Sequence, residues 1–331
     1  MSHARYQRQV MLEEVGDVGQ QKLAQARILI VGAGGLGSSL IPLLAGAGVG
    51  FIRLYDNDVV EEHNLHRQTL FTMADIGQPK ALCAQRAVAE RNPDVVVEAV
   101  IKPLLPGNVA EALGDIDLAL DAADNFAVTY PLSDACQALD IPLISASVLG
   151  RQGYVGGFCG SAPGYRALFP RLPAAAANCN TAGVMGPAVA TLGAMQAQMA
   201  LSVLLEHQPS PLGTLINCDF ANWHFRKFRF DQAEEPLEPG VPFIDSSMLM
   251  EGDCIVELRS EQEAPQSIQA HVLRILPQDL AGWQPPHDRR IVFVCASGIR
   301  AAQAAMTLER RGFSQLAIVA ANRLDSVCGI E

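Results

Sequence analysis

From Arg27 onward the chain alternates short apolar runs with stretches of helix length. RILIV (27–31), FIRLYD (51–56), VVVEAVI (95–101), DLALDA (117–122) and PLISAS (142–147) are brief and mostly apolar, and read as strands. Between them, residues 36–48, 79–91 and 126–139 have helical length and patterning. This alternation predicts a parallel sheet covered by helices on both faces. After residue 147 the pattern changes. RQGYVGGFCG (151–160) reads as a strand, 161–183 as a long loop of small residues, and 186–206 as a helix rich in Ala, Leu and Met. TLINCDF (214–220) and NWHFRKFRF (222–230) follow as two antiparallel strands.

DQAEEPLEPGVP (231–242) concentrates acid and proline, has almost nothing to bury, and reads as a linker. Beyond it a smaller α/β unit is built from CIVELRS, AHVLRILP, RIVFVCASGIR, a helix over 301–311 and QLAIVA. The expected organisation is therefore one domain over 1–230, the linker, and a second domain over 243–331.

Composition narrows the function classes. At 331 residues, 49% hydrophobic and 18% charged, the chain suits two folded domains with no long disordered tract. A formal charge of −11 with no Lys/Arg block argues against a phosphate-tracking nucleic-acid surface. The N-terminus has no apolar core of signal-peptide length and no run of 18 apolar residues occurs, so a cytoplasmic protein without membrane contact is expected. The eight cysteines stand singly, without a C-x-x-C pair, which suits a reducing compartment. His63 and His66 read as surface residues.

VGAGGLGSS closes the first strand, and Gly32, Gly34 and Gly37 with Gly35 between them match G-x-G-x-x-G. Such a loop lets backbone approach a phosphate while the next helix directs free N–H groups at it. With Asp56 following the second strand, the fold expected is a Rossmann-like, doubly wound, mostly parallel sheet with an added antiparallel part. A dinucleotide-dependent oxidoreductase is the first reading of that much. DNDVVEEHNLHRQ points elsewhere, because its Asn64, Arg67 and Gln68 suit a triphosphate better than a dinucleotide. Lys80 in GQPKA opens the next helix, and DAADNF places Asp121, Asp124 and Asn125 at the ligand-binding edge of the fourth strand.

These stretches, together with RYQRQ and NCNTAGVMGP, resemble the MoeB/ThiF-type adenylyltransferases that activate ubiquitin-like sulfur-carrier proteins, over roughly residues 5–230. The resemblance implies ATP as substrate and Mg2+ held by Asp124. Asp56 would bind ribose, and Asn64, Arg67 and Lys80 the phosphates. Arg8 would reach into a neighbouring subunit, which implies a homodimer. The implied partner is a small carrier ending in Gly-Gly. Cys179, in a loop ahead of a helix, matches a reactive cysteine of the family, and whether it forms a thioester or a disulfide stays open. GYRALFP has Gly164 and Ala167 where many members carry C-x-x-C, so a structural zinc is not expected. CASGIR in the second unit resembles the active loop of a rhodanese, which implies that Cys295 carries sulfur received from an upstream persulfide donor. Ala296 departs from that pattern, where a cation is common. The other cysteines read as packing residues.

The leading expectation is adenylation of a carrier's C-terminal glycine followed by sulfur transfer to give a thiocarboxylate. Adenylation of a peptide or small carboxylate with a vestigial tail, the oxidoreductase and a non-catalytic scaffold are the rivals. The pathway served is not legible in the sequence.

Overall fold

The computed structural model describes residues 3–123, 125–173, 183–238, 240–269 and 271–321. The first unit runs α1 (His3–Val10), α2 (Gly16–Gln25), β1 (Arg27–Val31), α3 (Gly35–Ala47), β2 (Phe51–Tyr55), α4 (Lys80–Arg91) and β3 (Val96–Val100). It continues through α5 (Val109–Ala112), β4 (Leu118–Asp121), α6 (Phe126–Ala138), β5 (Leu143–Leu149), β6 (Gln152–Phe158), α7 (Tyr165–Leu168), α8 (Gly186–Leu204), β7 (Thr214–Asp219) and β8 (His224–Arg229). The second unit holds β9 (Cys254–Glu257), β10 (Leu273–Arg274), β11 (Ile291–Cys295), α9 (Ile299–Glu309) and β12 (Leu316–Ala320).

The large sheet has the order β3-β2-β1-β4-β5-β6-β7-β8, parallel as far as β5 and antiparallel beyond it. Chain order reverses between β1 and β4, and the register sets Val31 level with both Tyr55 and Asp121. The carboxyl ends of β1, β2 and β4 thus open side by side, where a doubly wound sheet leaves its crevice. Alternation along β1 divides the core. Ile28 and Ile30 face the apolar layer made with α3, α4 and α8, whereas Leu29 and Val31 face the layer made with α5 and α6. Helix α8 is long and apolar enough to cross a membrane, yet here it packs along α3 so closely that Gly193 leaves no room for a Cβ against the Leu36 carbonyl.

The second unit forms a parallel sheet of order β10-β9-β11-β12. One face, with Val256, Phe293 and α9, shares a continuous apolar cluster with Tyr130 and Val128 of the first unit. Phe243 makes the join: its ring lies 6.3 Å from that of Tyr130, and it packs under the Gly298 turn. Leu237 in the connecting stretch is fully exposed, but that stretch is pinned where Glu235 accepts the Gly164 N–H. Around α7, Tyr165 is buried among Tyr130, Phe158 and Phe169, and Arg166 clasps Asp134. Among the described residues no cluster of His, Cys, Asp and Glu is placed to hold a metal ion.

Candidate active site

The glycine loop is shaped by what surrounds it. Gly32 has φ +102°, and a Cβ there would sit 2.6 Å from the Ala122 carbonyl oxygen; one at Gly37 would sit 2.2 Å from the Gly32 carbonyl oxygen. Side chains are thus excluded where β1, beside β4, ends and turns into α3. Gly34 differs, since its nearest neighbour would be the Gln68 Nε2 at 3.8 Å. It faces open space, as a residue that admits a ligand should.

That space is a crevice of about 360 Å³ lined by Gly34, Gly35, Asn64, Arg67, Lys80 and Asn125, among others. Asn125 also caps α6, accepting the Ala127 N–H. Lys80 comes from the first residue of α4 and is buried to 5% exposure; its Nζ lies 3.1 Å from Asp58, whose side chain is two-thirds open to solvent. Asp58 also holds the Lys80 N–H through its backbone oxygen. Arg67 is half-buried and donates to the His63 carbonyl oxygen. Asn64 Oδ1 and Gln68 Oε1 are buried without a hydrogen-bond partner, an arrangement that costs about 1–3 kcal/mol each and that a bound molecule or water relieves.

A smaller pocket of about 110 Å³ adjoins the crevice and is walled by Val31, Tyr55, Asp56, Lys102, Pro103 and Leu104. Asp56 receives the Ala33 N–H at 2.7 Å and the Asp58 N–H at 2.9 Å. Burial pushes its carboxyl above the usual range, against the opposing pull of the Ala33 N–H and Lys80. A slot that sets Val31, Pro103 and Leu104 beside the Asp56 and Asp58 carboxylates, next to a crevice holding Arg67 and Lys80, has the form of a nucleoside site next to a phosphate site.

Residues 6–239 match the ThiF family. The chain belongs to that family. It is 39% identical over 223 residues to the SAMP-activating enzyme E1 of Haloferax volcanii, covering 67% of this chain and 83% of that protein. To the sulfur carrier protein adenylyltransferase of Thermus thermophilus it is 41% identical over 231 residues, covering 67% and 85%. The adenylyltransferase and sulfurtransferase MOCS3 of Anopheles gambiae is 39% identical over 68% of this chain and 52% of its own length. Among solved structures, E. coli MccB with ATP shares the fold at a TM-score of 0.59 and 22% identity, covering 70% of this chain and 72% of that one.

Within the ThiF region the structure gathers Gly32, Gly34, Gly35, Gly37, Asp56, Asn64, Arg67, Gln68, Lys80 and Asn125 at one sheet edge. Asp124 and Cys179 lie outside the described residues. Asp121 is a correction: it does not line the crevice but turns inward, 1% exposed, to accept the Thr129 and Ser145 hydroxyls. Arg8 is exposed on α1, which docks through Gln9 on the Ala47 carbonyl oxygen at the far end of α3. Thirteen helical residues, about 20 Å, separate that end from the glycine loop. His63, read from sequence as a surface residue, stands on the crevice wall. The sequence reading also gave no role to Asp58, Glu61 or Lys102, although Asp58 is the second acid after β2 and Lys102 follows the end of β3, the edge where ligands are expected.

The ThiF match ends at 239, so Cys295 lies beyond it. Cys295 closes β11, is fully buried, and its Sγ accepts the Ala301 N–H at 3.4 Å. Arg300 beside it is gripped by both oxygens of Glu263. Cys83, Cys136, Cys159, Cys218 and Cys254 are free and buried; burial pushes the Cys159 thiol up to about 12, which suits a packing role. Cys328 is outside the described residues.

Proposed function

We propose that this protein uses ATP to adenylate the C-terminal carboxylate of a small ubiquitin-like sulfur carrier and then converts it to a thiocarboxylate. The observation that carries the reading is the pairing of a glycine loop and half-buried Arg67 with buried Lys80 around two unsatisfied amide oxygens at the β1/β4 crossover. The names borne by its ThiF relatives supply the substrate class.

Adenine fits the slot of Val31, Pro103 and Leu104, with the ribose hydroxyls on Asp56. The phosphates lie over Gly34 and Gly35 at the start of α3, where backbone N–H groups and the helix dipole favour negative charge. A carboxylate oxygen of the carrier attacks the α-phosphorus; that bond forms as the bond to pyrophosphate breaks. Arg67 and Lys80 hold the charge that develops on the phosphate oxygens. Asp58 and Glu61 on the wall, with Asp124, would hold Mg2+, which supplies further charge neutralisation when bound.

Sulfur transfer follows at Cys295, loaded as a persulfide by an upstream donor. Its terminal sulfur bonds to the acyl carbon and AMP departs with the electron pair. Cys179 then attacks the Cys295 sulfur of the acyl disulfide, which frees the thiocarboxylate and leaves a disulfide for a thiol reductant to open. In the variant route Cys179 first takes the acyl group as a thioester. A homodimer in which Arg8 serves the neighbour's crevice fits its distance from its own.

ATP–pyrophosphate exchange with a panel of Gly-Gly-ended carriers tests the first step. Exchange should require one carrier and vanish in Arg67→Ala. Exchange with a free peptide or small carboxylate alone would replace the carrier reading with the peptide one.

A further inference from the structure

The Cys295 loop lacks a cation at the position next to the cysteine, where Ala296 stands, and the loop's own arginine, Arg300, is already engaged. Arg300 donates through Nη1 to Glu263 Oε2 at 2.9 Å and through Nη2 to Oε1, a two-point clasp. Both side chains are a little over one-third exposed, so the clasp lies near the surface while the sulfur beneath is fully buried. Glu263 is itself fixed, because its N–H is held by the Ser260 carbonyl oxygen and hydroxyl. The clasp lowers the Glu263 carboxyl, the hydrogen bond from Arg300 being the main cause. The Arg300 guanidinium is raised mainly by its hydrogen bond to Glu263, with a smaller contribution from the Cys295 sulfur five residues before it.

Among the described residues no other carboxylate–guanidinium pair involves the cysteine's loop in this way. At the end of β9, Glu257 is bound by the Nε and Nη2 of Arg259, which also adds a smaller pull on the Glu263 carboxyl. Strand β12, paired to β11 with Ala320 beside Cys295, carries no titratable residue. Asp245, next to the Phe243 that underlies the loop, is turned to the Gly107 N–H. What remains is a three-member series of carboxylate, guanidinium and thiol.

We infer that Glu263 is a positioning residue that sets how much of the Arg300 charge reaches Cys295, and so restrains the cysteine until the clasp opens. While Glu263 holds it, the guanidinium is largely neutralised. Released, the cation stabilises an anionic sulfur at the head of α9, whose first turn already donates the Ala301 N–H. The inference deepens the sulfur-carrier reading of Cys295 and rests on it for its biological meaning.

The test follows thiolate absorbance in the ultraviolet during pH titration, subtracting in each case the matching Cys295→Ala protein so that this thiol alone reports. Glu263→Gln, nearly isosteric and at a partly exposed site, should move the midpoint to lower pH by roughly one unit. Arg300→Gln should move it to higher pH, and Arg300→Lys, which keeps the charge, should recover at least half of that shift. A merely structural pair would not give opposite signs from its two members. Shifts of the same sign, or none, overturn the proposal. In parallel, the proteins are incubated with thiosulfate and the Cys295 peptide is weighed by mass spectrometry. Opposite midpoint shifts without added sulfur would retain the coupling and sink the carrier reading; sulfur loading without the shifts would do the reverse.

Discussion

Lys80 shows how a single side chain is prepared for a ligand. Its stem is enclosed by the fold while the side chain of its partner Asp58 is open to water, so an arriving phosphate can take the place of that carboxylate without moving the cation. Replacing Lys80 by Ala should lower exchange by about 10²-fold or more, measured with saturating carrier. The glycines separate folding from binding in the same way. Gly37→Ala places a methyl against a carbonyl oxygen and should lower the melting temperature, whereas Gly34→Ala has room and should fold normally but weaken ATP binding in calorimetry. Of this site, Asp56 and Lys80 were legible because a strand end and a helix start fix where they stand, and Arg67 because of the stretch that carries it. Asp121 misled because its place at the strand end was readable but the direction of its carboxylate was not; Thr129 and Ser145, distant in sequence, decide that. Glu263 was invisible for the same reason, since its partner lies 37 residues away.

At the scale of elements, the strands of the parallel half were readable almost to the residue, since burial on both faces leaves an unbroken apolar run, as in β1. Helices α1 and α5 were not: α1 is mostly polar, with Tyr6 its anchor in the core, and α5 is one turn long. Strand β10 shrinks to two residues, far less than AHVLRILP suggested, and Arg274 there spends its side chain on the Arg259 and Ala264 carbonyl oxygens. The start of the small sheet depends on charge instead. Arg290, just ahead of β11, clasps Asp253, just ahead of β9, at 2.9 and 2.6 Å. Burial alone would raise the Asp253 carboxyl, but Arg290 and the Met250 N–H outweigh it and leave it lowered. A lowered folded value stabilises above the unfolded one, near 3.8, and that contribution is lost as pH falls through the folded value. Asp253→Asn should therefore cost about 1–3 kcal/mol at neutral pH, and urea melts carried into acid should show the gap to wild type closing.

The molecule as a whole is less divisible than its two-domain sequence suggests, because one apolar cluster crosses the boundary. Asp245 adds a polar tie: it accepts the Gly107 N–H at 2.6 Å, on the loop whose Pro103 and Leu104 wall the smaller pocket. Asp245→Ala should raise the KM for ATP several-fold with little change in kcat, although it touches no ligand. If the crevice is completed by a neighbour, Arg8→Ala and Arg67→Ala proteins, each inactive alone, should regain part of the exchange activity when mixed and allowed to trade subunits. Equal inactivity after mixing would place Arg8 outside the reaction. At the opposite margin of the large sheet, every residue of β8 is exposed, and beside Phe225 and Phe228 it carries Arg226, Lys227 and Arg229. An outermost strand with free backbone groups is a template on which another copy could grow, and antiparallel self-pairing would bring these cations against one another. Replacing Arg226 and Lys227 together by Val should therefore make the protein scatter light at concentrations where the wild type stays clear, so the surface that looks least involved in chemistry would govern how concentrated the protein can become.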